Sequence, residues 1–371
     1  MFKRIKKIMM IVLLIIVALV VIGFAYTFHP RFGAKPEGKR LERMKATPTF
    51  QDGKFVNIHP TPDFGEGYNF WNVSKEFFFG NYPNKKPNAS IPFVSTDLKS
   101  IDRKQDLLIW FGHSSYYFQL KGVRFLVDPV FSNNASPVAG TTKAFSGADS
   151  YGSDAIDTID YLIITHDHYD HLDYATMVEL KGKVKQVICG LGVGAHLERW
   201  GYDPSRITEL YWQESATLQD VINITALPTR HFSGRSFQRN TTLWCSYMVQ
   251  SDDFTLYLGG DSGYDTHFAE IGKQFPNIDL ALLENGQYNV MWQYIHLLPK
   301  EFVQASIDLN AKRIFPIHNS KFSLALHTWN EPMDSLEVLG KDLLDVITPK
   351  IGEVVYLKDK TQKFNTWWKG L

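Results

Sequence analysis

The sequence predicts an α/β layered fold carried behind an N-terminal membrane-spanning helix. From about residue 105, short apolar runs of strand length alternate with helix-period patterns. Ahead of them, Ile8 to Tyr26 is an uncharged apolar run of 19 residues. A third observation bears on chemistry: one strand run leads directly into Thr165-His166-Asp167-His168-Tyr169-Asp170-His171.

The apolar run comes first in the chain. About 20 residues cross a bilayer core as a helix, at 1.5 Å rise each. Lys3, Arg4, Lys6 and Lys7 precede the run, so that end stays in the cytoplasm and the rest lies across the membrane. Residues 1–7 are then a cytoplasmic basic segment and 8–26 a transmembrane signal anchor. The alternative is a signal peptide cut after Gly23-Phe24-Ala25, which exports the same body. A core helix fits poorly, because the run has no polar face.

Residues 27–104 read as an irregular, aromatic-rich extension. Pro30, Pro36, Pro48, Pro60, Pro62, Pro83, Pro87 and Pro92 break it into short pieces. Phe55, Phe64, Phe70, Trp71 and Phe77 to Phe79 make it too apolar for a free linker, so it is expected to pack on the main domain. A substrate groove or a lipid contact is the other use of such residues.

Residues 105–371 form the expected catalytic domain. Strands are expected at 107–111, 116–120, 123–127, 161–164, 184–188, 222–227, 244–249, 255–258, 280–283 and 313–317. Helices are expected at 174–180, 195–200, 266–275 and 300–309. With 44% hydrophobic and 14% aromatic residues, the core is sizeable. The 39 basic and 39 acidic residues cancel, so nothing points to a nucleic-acid partner. Cys189 and Cys245 form neither a CxxC pair nor a Cys-His metal spacing; they are two buried thiols or one disulfide.

The cluster at 165–171 carries the functional argument. In an extended stretch alternate side chains share a face, so His166 and His168 reach one metal together. The chain then turns toward a helix, and Asp170 and His171 point back to a second position. Imidazole and carboxylate donors suit zinc. Buried without a metal, they would be polar groups lacking partners. The remaining donors obey one rule. His231, Asp261 and His318 each lie just past an apolar strand, where ligands gather in α/β sheets.

This HxHxDH pattern, with a later His, then Asp after a glycine, then His, resembles the metallo-β-lactamase superfamily. The resemblance covers roughly residues 105–355. Within it, the chain looks like the branch of N-acylphosphatidylethanolamine-hydrolysing phospholipase D and the ascorbate-phosphate lactonases. The segments that carry this are 110–115 (WFGHSS), 125–132 (FLVDPVFS), 228–235 (PTRHFSGR), Leu243-Trp244, Gly286-Gln287-Tyr288, 296–299 (HLLP) and 316–319 (PIHN). Glu284-Asn285 departs from the proline-containing stretch of the phospholipase, and that enzyme lacks the membrane span.

The resemblance implies an αββα sandwich with metals at one edge of the sheets. It implies that His166, His168 and His231 hold one zinc, that Asp170, His171 and His318 hold the second, and that Asp261 bridges them. Two Zn2+ are the expected cofactors, with iron or manganese as the other metals the donors admit. The implied activity is hydrolysis by a metal-bridging hydroxide, formed near neutral pH because bound zinc lowers the pKa of water to about 7. Asp170 orients the nucleophile and takes its proton, and His296 protonates the leaving group or binds phosphate. His113, Arg235, Gln287 and Tyr288 are the expected substrate contacts, Arg235 by bidentate pairing with phosphate; a surface salt bridge is the other use of Arg235, and a structural role the other use of His113 and His296. Asp128 either fixes a histidine tautomer or ends its strand in an Asp-Pro turn. Ser114 beside His113 does not read as a nucleophile elbow.

Three functions remain from the sequence. One is a membrane-anchored phosphodiesterase acting on phospholipids on the non-cytoplasmic side. The second is a hydrolase of small soluble esters or lactones. The third is a di-iron redox or binding protein, which lacks support because no flavin-binding segment is evident and all seven donors are intact.

Overall fold

The structure, a computed structural model, describes residues 2–371; Met1 of the expected cytoplasmic segment lies outside them. Helix α1 (Phe2–Tyr26) has no buried residue and is long and apolar enough to cross a membrane.

The extension is woven into the body. It contains α2 (Gly38–Lys45), a small hairpin of β1 (Phe50–Gln51) and β2 (Lys54–Phe55), and α3 (Phe70–Phe79). Asp52 and Gly53 turn the hairpin with positive φ angles of 50° and 76°. Met44, Phe55, Ile91 and Leu98 are buried in the main core. Arg40 pairs with Glu209 at 2.6 Å and also with Glu198, tying α2 to the domain.

The domain then runs β3 (Leu107–Trp110), β4 (Tyr116–Leu120), β5 (Val123–Val127), β6 (Ile159–Ile164), α4 (Tyr174–Leu180), β7 (Val184–Gly190), α5 (Gly194–Arg199) and β8 (Ile207–Leu210). A second series comes after it: β9 (Ser215–Leu218), β10 (Ile222–Leu227), β11 (Ser246–Gln250), β12 (Thr255–Leu258), α6 (His267–Gln274), β13 (Leu280–Glu284), α7 (Pro299–Leu309), β14 (Ile314–Ile317), α8 (Glu331–Leu339) and β15 (Val354–Tyr356). They build a seven-stranded sheet ordered β15-β3-β4-β5-β6-β7-β8 and a six-stranded sheet ordered β14-β13-β12-β11-β10-β9.

Side-chain alternation shows how the sheets stack. Along the second sheet, Ile224, Val249, Leu256, Leu258, Leu280 and Leu282 join Phe118, Phe125 and Leu162 of the first in one core. The intervening residues, Met248, Tyr257, Ala281 and Leu283, instead pack on Phe268 and Ile271 of α6 and Phe302 of α7. Both faces of these strands are covered, which explains their nearly continuous apolar sequence. The expected α/β sandwich is therefore present.

Several elements differ from the expectation. The strand foreseen from Trp244 begins at Ser246, because the Cys245 amide donates to the Thr165 carbonyl and belongs to a crossing loop. Strands β8, β9 and β15 and helix α8 were not foreseen. Ile207–Leu210 and Ser215–Leu218 are short, half-polar edge strands, held by register rather than by composition. Both cysteines are free and buried.

Candidate metal centre

Strands β5 and β6 run parallel, as do β12, β13 and β14. Their carboxyl ends therefore open on one edge, and the metal donors and their supporting carboxylates come at those ends or within three residues of them. Asp128 follows β5, His166 follows β6, Asp261 follows β12, Glu284 ends β13 and His318 follows β14. The turns are tight: His113, Asp128 and His318 hold positive φ angles of 55°, 41° and 66°, unusual for side-chain-bearing residues.

Three imidazole nitrogens converge in the first group. His168 Nδ1 lies 2.9 Å from His166 Nε2 and 3.2 Å from His231 Nε2. His231 Nδ1 is 2.9 Å from the Ile295 carbonyl, so it carries the proton and Nε2 presents a lone pair. Thr165 Oγ1 donates to Asp128 Oδ2 at 2.5 Å and so accepts from His166 Nδ1 at 3.1 Å, which leaves His166 Nε2 bare as well. One proton on His168 satisfies a single neighbour, whereas a cation satisfies all three. The separations approach the ~3.3 Å edge of a tetrahedron built with zinc–nitrogen bonds of about 2.0–2.1 Å.

The second group is built on His171. Its Nδ1 donates to Asp128 Oδ2 at 2.8 Å. Its Nε2 is buried without a hydrogen-bond partner and lies 3.2 Å from Asp261 Oδ2 and 3.6 Å from Asp170 Oδ2. Burial opposes charge on His171, yet Asp261 and Asp170 raise its pKa well above the ordinary value. The position attracts positive charge. His318 Nδ1 lies 3.1 Å from Asp261 Oδ1 and 2.9 Å from Ser114 Oγ. Asp261 also stands 3.8 Å from both His166 Nε2 and His231 Nε2, between the two groups.

Donor atoms of His166, His168, His231 and Asp261 lie within 4.8 Å of one another, as do those of His113, Asp170, His171 and His318, and those of Asp261, Glu284, His296 and His318. The seven residues read from the sequence are thus assembled at one edge. Asp128, Asp261 and Glu284 are each at least 97% buried there. So many carboxylates and bare imidazole nitrogens fit bound metal ions and fit little else.

The expected substrate contacts fare differently. His296 stands at the site, its ring 5.1 Å from that of His231 and 5.3 Å from that of His318. Its Nδ1 is 2.7 Å from Glu284 Oε2, and the other oxygen of Glu284 accepts from the Leu297 amide at 2.7 Å. His113 is not a substrate contact. It is fully buried, its Nε2 is 2.9 Å from Asp170 Oδ2, and burial lowers its pKa to about 4.

Arg235 is not free to bind phosphate. Its Nη1 donates to the carbonyls of Asp167 and Leu172 at 2.7 and 2.6 Å, and its Nη2 and Nε donate to the Arg31 carbonyl. Tyr169 covers its plane at 4.2 Å. Gln287 is also spent internally: it donates to the His318 and Phe322 carbonyls and accepts from the amides of Leu324 and Ala325. The Tyr288 hydroxyl donates to Glu331 at 3.2 Å. All three are buried, and their work is to hold loops.

Other supporting residues escaped sequence reasoning. Asn57, from the extension, accepts from the His231 amide and donates to its carbonyl. Asp167, inside the motif, accepts from the Gly234 amide at 2.7 Å and the Thr242 hydroxyl at 2.9 Å, and lies 3.1 Å from His196 Nε2. Only the negative charge of Asp167 in a histidine-rich loop hinted at such a role.

The comparisons with known proteins agree with this geometry. A family model described as a beta-lactamase superfamily domain matches residues 123–319. An uncharacterized protein of Mycobacterium tuberculosis is 36% identical over 332 residues, covering 87% of this chain and 88% of its own. An N-acyl-phosphatidylethanolamine-hydrolyzing phospholipase D of Caenorhabditis elegans is 29% identical over 78% of this chain and 87% of its own. Among solved structures, a possible metal-dependent hydrolase from Veillonella parvula superposes with a TM-score of 0.54 at 14% identity, over 68% of this chain and 99% of that one. Fold, donor set and family match converge: the chain belongs to the beta-lactamase superfamily, as one of its metal-dependent hydrolases.

Proposed function

We propose that the protein is a zinc-dependent phosphodiesterase of phospholipase D type, cleaving N-acylphosphatidylethanolamine-like or other phospholipids of the membrane that holds α1. The observation that carries this reading is the attachment of α1 to the donor loop. Arg235 binds the Arg31 carbonyl, five residues past α1, and also the Asp167 and Leu172 carbonyls that flank His168 to His171. An exposed apolar helix is thus fastened beside the reactive edge. The similarity to a nematode enzyme named for this activity supports the substrate class. In this reading residues 8–26 anchor the protein, 27–104 pack on the domain, and 105–371 form the hydrolase on the non-cytoplasmic side.

His166, His168 and His231 would hold one zinc ion and Asp170, His171 and His318 the other, with Asp261 between them. Bound there, the ions supply Lewis acidity and an activated water near neutral pH. Asp170, steadied by His113, accepts the proton of the attacking water. His296 gives a proton to the alcohol that leaves phosphorus. Glu284 holds His296 Nδ1, so Nε2 is the nitrogen left for that transfer. One water is consumed, and phosphatidic acid and an alcohol are released.

The test is incubation of the zinc-loaded full chain with phospholipid vesicles and with a small lactone panel, using His168→Ala and a chelator as controls. Phosphatidic acid release that both controls abolish is expected. Chelator-sensitive lactone opening without lipid turnover would replace this reading with the small-ester or lactone hydrolase.

A further inference from the structure

We propose that α3 is a second membrane contact, its aromatic side chains seated in the headgroup–acyl boundary of the bilayer that holds α1. The proposal rests on the reading that α1 lies in a membrane, and it is independent of the substrate. Trp71, Phe78 and Phe79 are 79%, 80% and 82% exposed, and Phe70 and Phe77 are exposed beside them. Phe70, Trp71, Phe77 and Phe78 are spaced to share one side of the helix. No residue of α3 is buried, and only Phe77 of its five large aromatics stacks on a ring of the domain.

The helix is held in shape by its ends rather than by packing. The Asn69 side chain accepts from the amides of Trp71 and Asn72, and Asn72 returns a bond to the Asn69 amide. A ten-residue helix is marginal in water by itself. Phe77 stacks on Trp292 at 5.3 Å, and the Gly65 amide donates to the Met291 carbonyl, so α3 sits on the 290–292 turn. That turn leads into Ile295, which anchors His231, and into His296.

The segment that follows α1 reaches the donor loop as well, where Phe32 packs on Tyr169 at 6.3 Å beside His168. Both elements are therefore fastened to loops of the donor site. Only residues 27–30 separate α1 from Arg31, whose carbonyl Arg235 clasps, so a bilayer around α1 lies close to this edge. The charges suit it. Glu76 is tied up by the Tyr82 hydroxyl at 2.7 Å, while Lys75 and Lys86 are exposed toward anionic headgroups. Tryptophan and phenylalanine on one face of a short helix are the residues that sit in this zone.

The test uses the metal-free full chain reconstituted into phosphatidylcholine–phosphatidylglycerol vesicles, with and without acyl chains brominated near the headgroup. Fluorescence of the wild type minus that of Trp71→Phe isolates one of the nine tryptophans. The expected difference spectrum is blue-shifted, and bromine quenches most of it. A Phe78→Ser, Phe79→Ser double variant should lose that quenching while keeping α1 in the vesicle. A water-like, unquenched spectrum overturns the proposal, as does protein that fails to float with the vesicles. A blue-shifted signal that resists bromine and tracks the protein-to-lipid ratio also overturns it, by placing a second copy of the chain on α3. No outcome depends on turnover, so lipid hydrolysis can fail while docking stands, and the reverse.

Discussion

Replacing Asp128 by Asn changes one atom of a buried carboxylate that sets a histidine tautomer. Oδ1 accepts from the Thr165 amide at 2.9 Å, and Oδ2 accepts from Thr165 Oγ1 at 2.5 Å and His171 Nδ1 at 2.8 Å. An asparagine amide cannot serve all three. If its oxygen stays toward the Thr165 amide, its NH2 faces the proton on His171 Nδ1. If it flips, the NH2 faces the Thr165 amide. The first arrangement relaxes only by moving the His171 proton to Nε2, the nitrogen aimed at Asp261 and Asp170. Loss of a carboxylate that orients a metal-binding histidine typically costs 10–100-fold in affinity, or about 1.4–2.7 kcal/mol. The assay is zinc competition against a chromogenic chelator, with thermal unfolding of the metal-free protein as a control. Asp128→Asn should weaken zinc binding at the His171 group by that factor. Thr165→Val, which deletes the hydroxyl bond alone, should weaken it only a few-fold. Wild-type affinity in Asp128→Asn would refute the tautomer argument and return Asp128 to a strand-ending turn.

The geometry carries three further outcomes. Glu284→Gln leaves the metal donors intact but loosens His296; kcat should fall by roughly 10²-fold with little change in KM for alkyl leaving groups, and far less for p-nitrophenyl phosphodiesters, whose leaving group needs no proton. Gly286→Ala places a Cβ 2.3 Å from the His318 carbonyl, so backbone must shift; stability should drop by about 1–3 kcal/mol in urea titration, with zinc lost from the His318 group first. For Asp160, burial works against the charge, but Lys185, the Arg124 amide and Arg103 outweigh it and lower the pKa. Its contribution is therefore present above the ordinary carboxylate pKa of about 3.9 and lost as pH falls through the lower folded value. The deficit of Asp160→Asn in urea midpoints should be constant near neutrality and shrink below about pH 4; a deficit unchanged at low pH would contradict that sign.

The donor residues were legible because each of them combines a chemical type with a local position. His166, Asp261 and His318 are the polar, metal-binding types that stand immediately beyond an apolar strand, and strand runs such as 161–164 are visible in composition. Arg235, Gln287 and Tyr288 were misread for the opposite reason. Their partners are backbone carbonyls and amides contributed by distant segments: Arg235 meets the Asp167 carbonyl 68 positions away. No residue type announces which carbonyl will lie nearby. Glu284 shows the same limit from the other side. In the sequence it stands out only as a departure from a relative's pattern, and its meaning appears once His296, 12 residues on, folds back against it. Short edge strands such as Ser215–Leu218 are specified by pairing with Ile222 and its neighbours, a relation that composition does not encode.

Arg235 has one more consequence. A single guanidinium clasps the Arg31 carbonyl just past α1 together with the carbonyls on either side of the donor histidines. Such an enzyme does not fish for substrate at the end of a leash. In the proposed anchored state its working height above α1 is set like the blade of a plane, and only chemistry at that depth is within its stroke. The stretch from Thr27 to Arg31 is then an unforgiving place for an added residue: lengthening it would unseat the arginine and disturb the metal-binding loop.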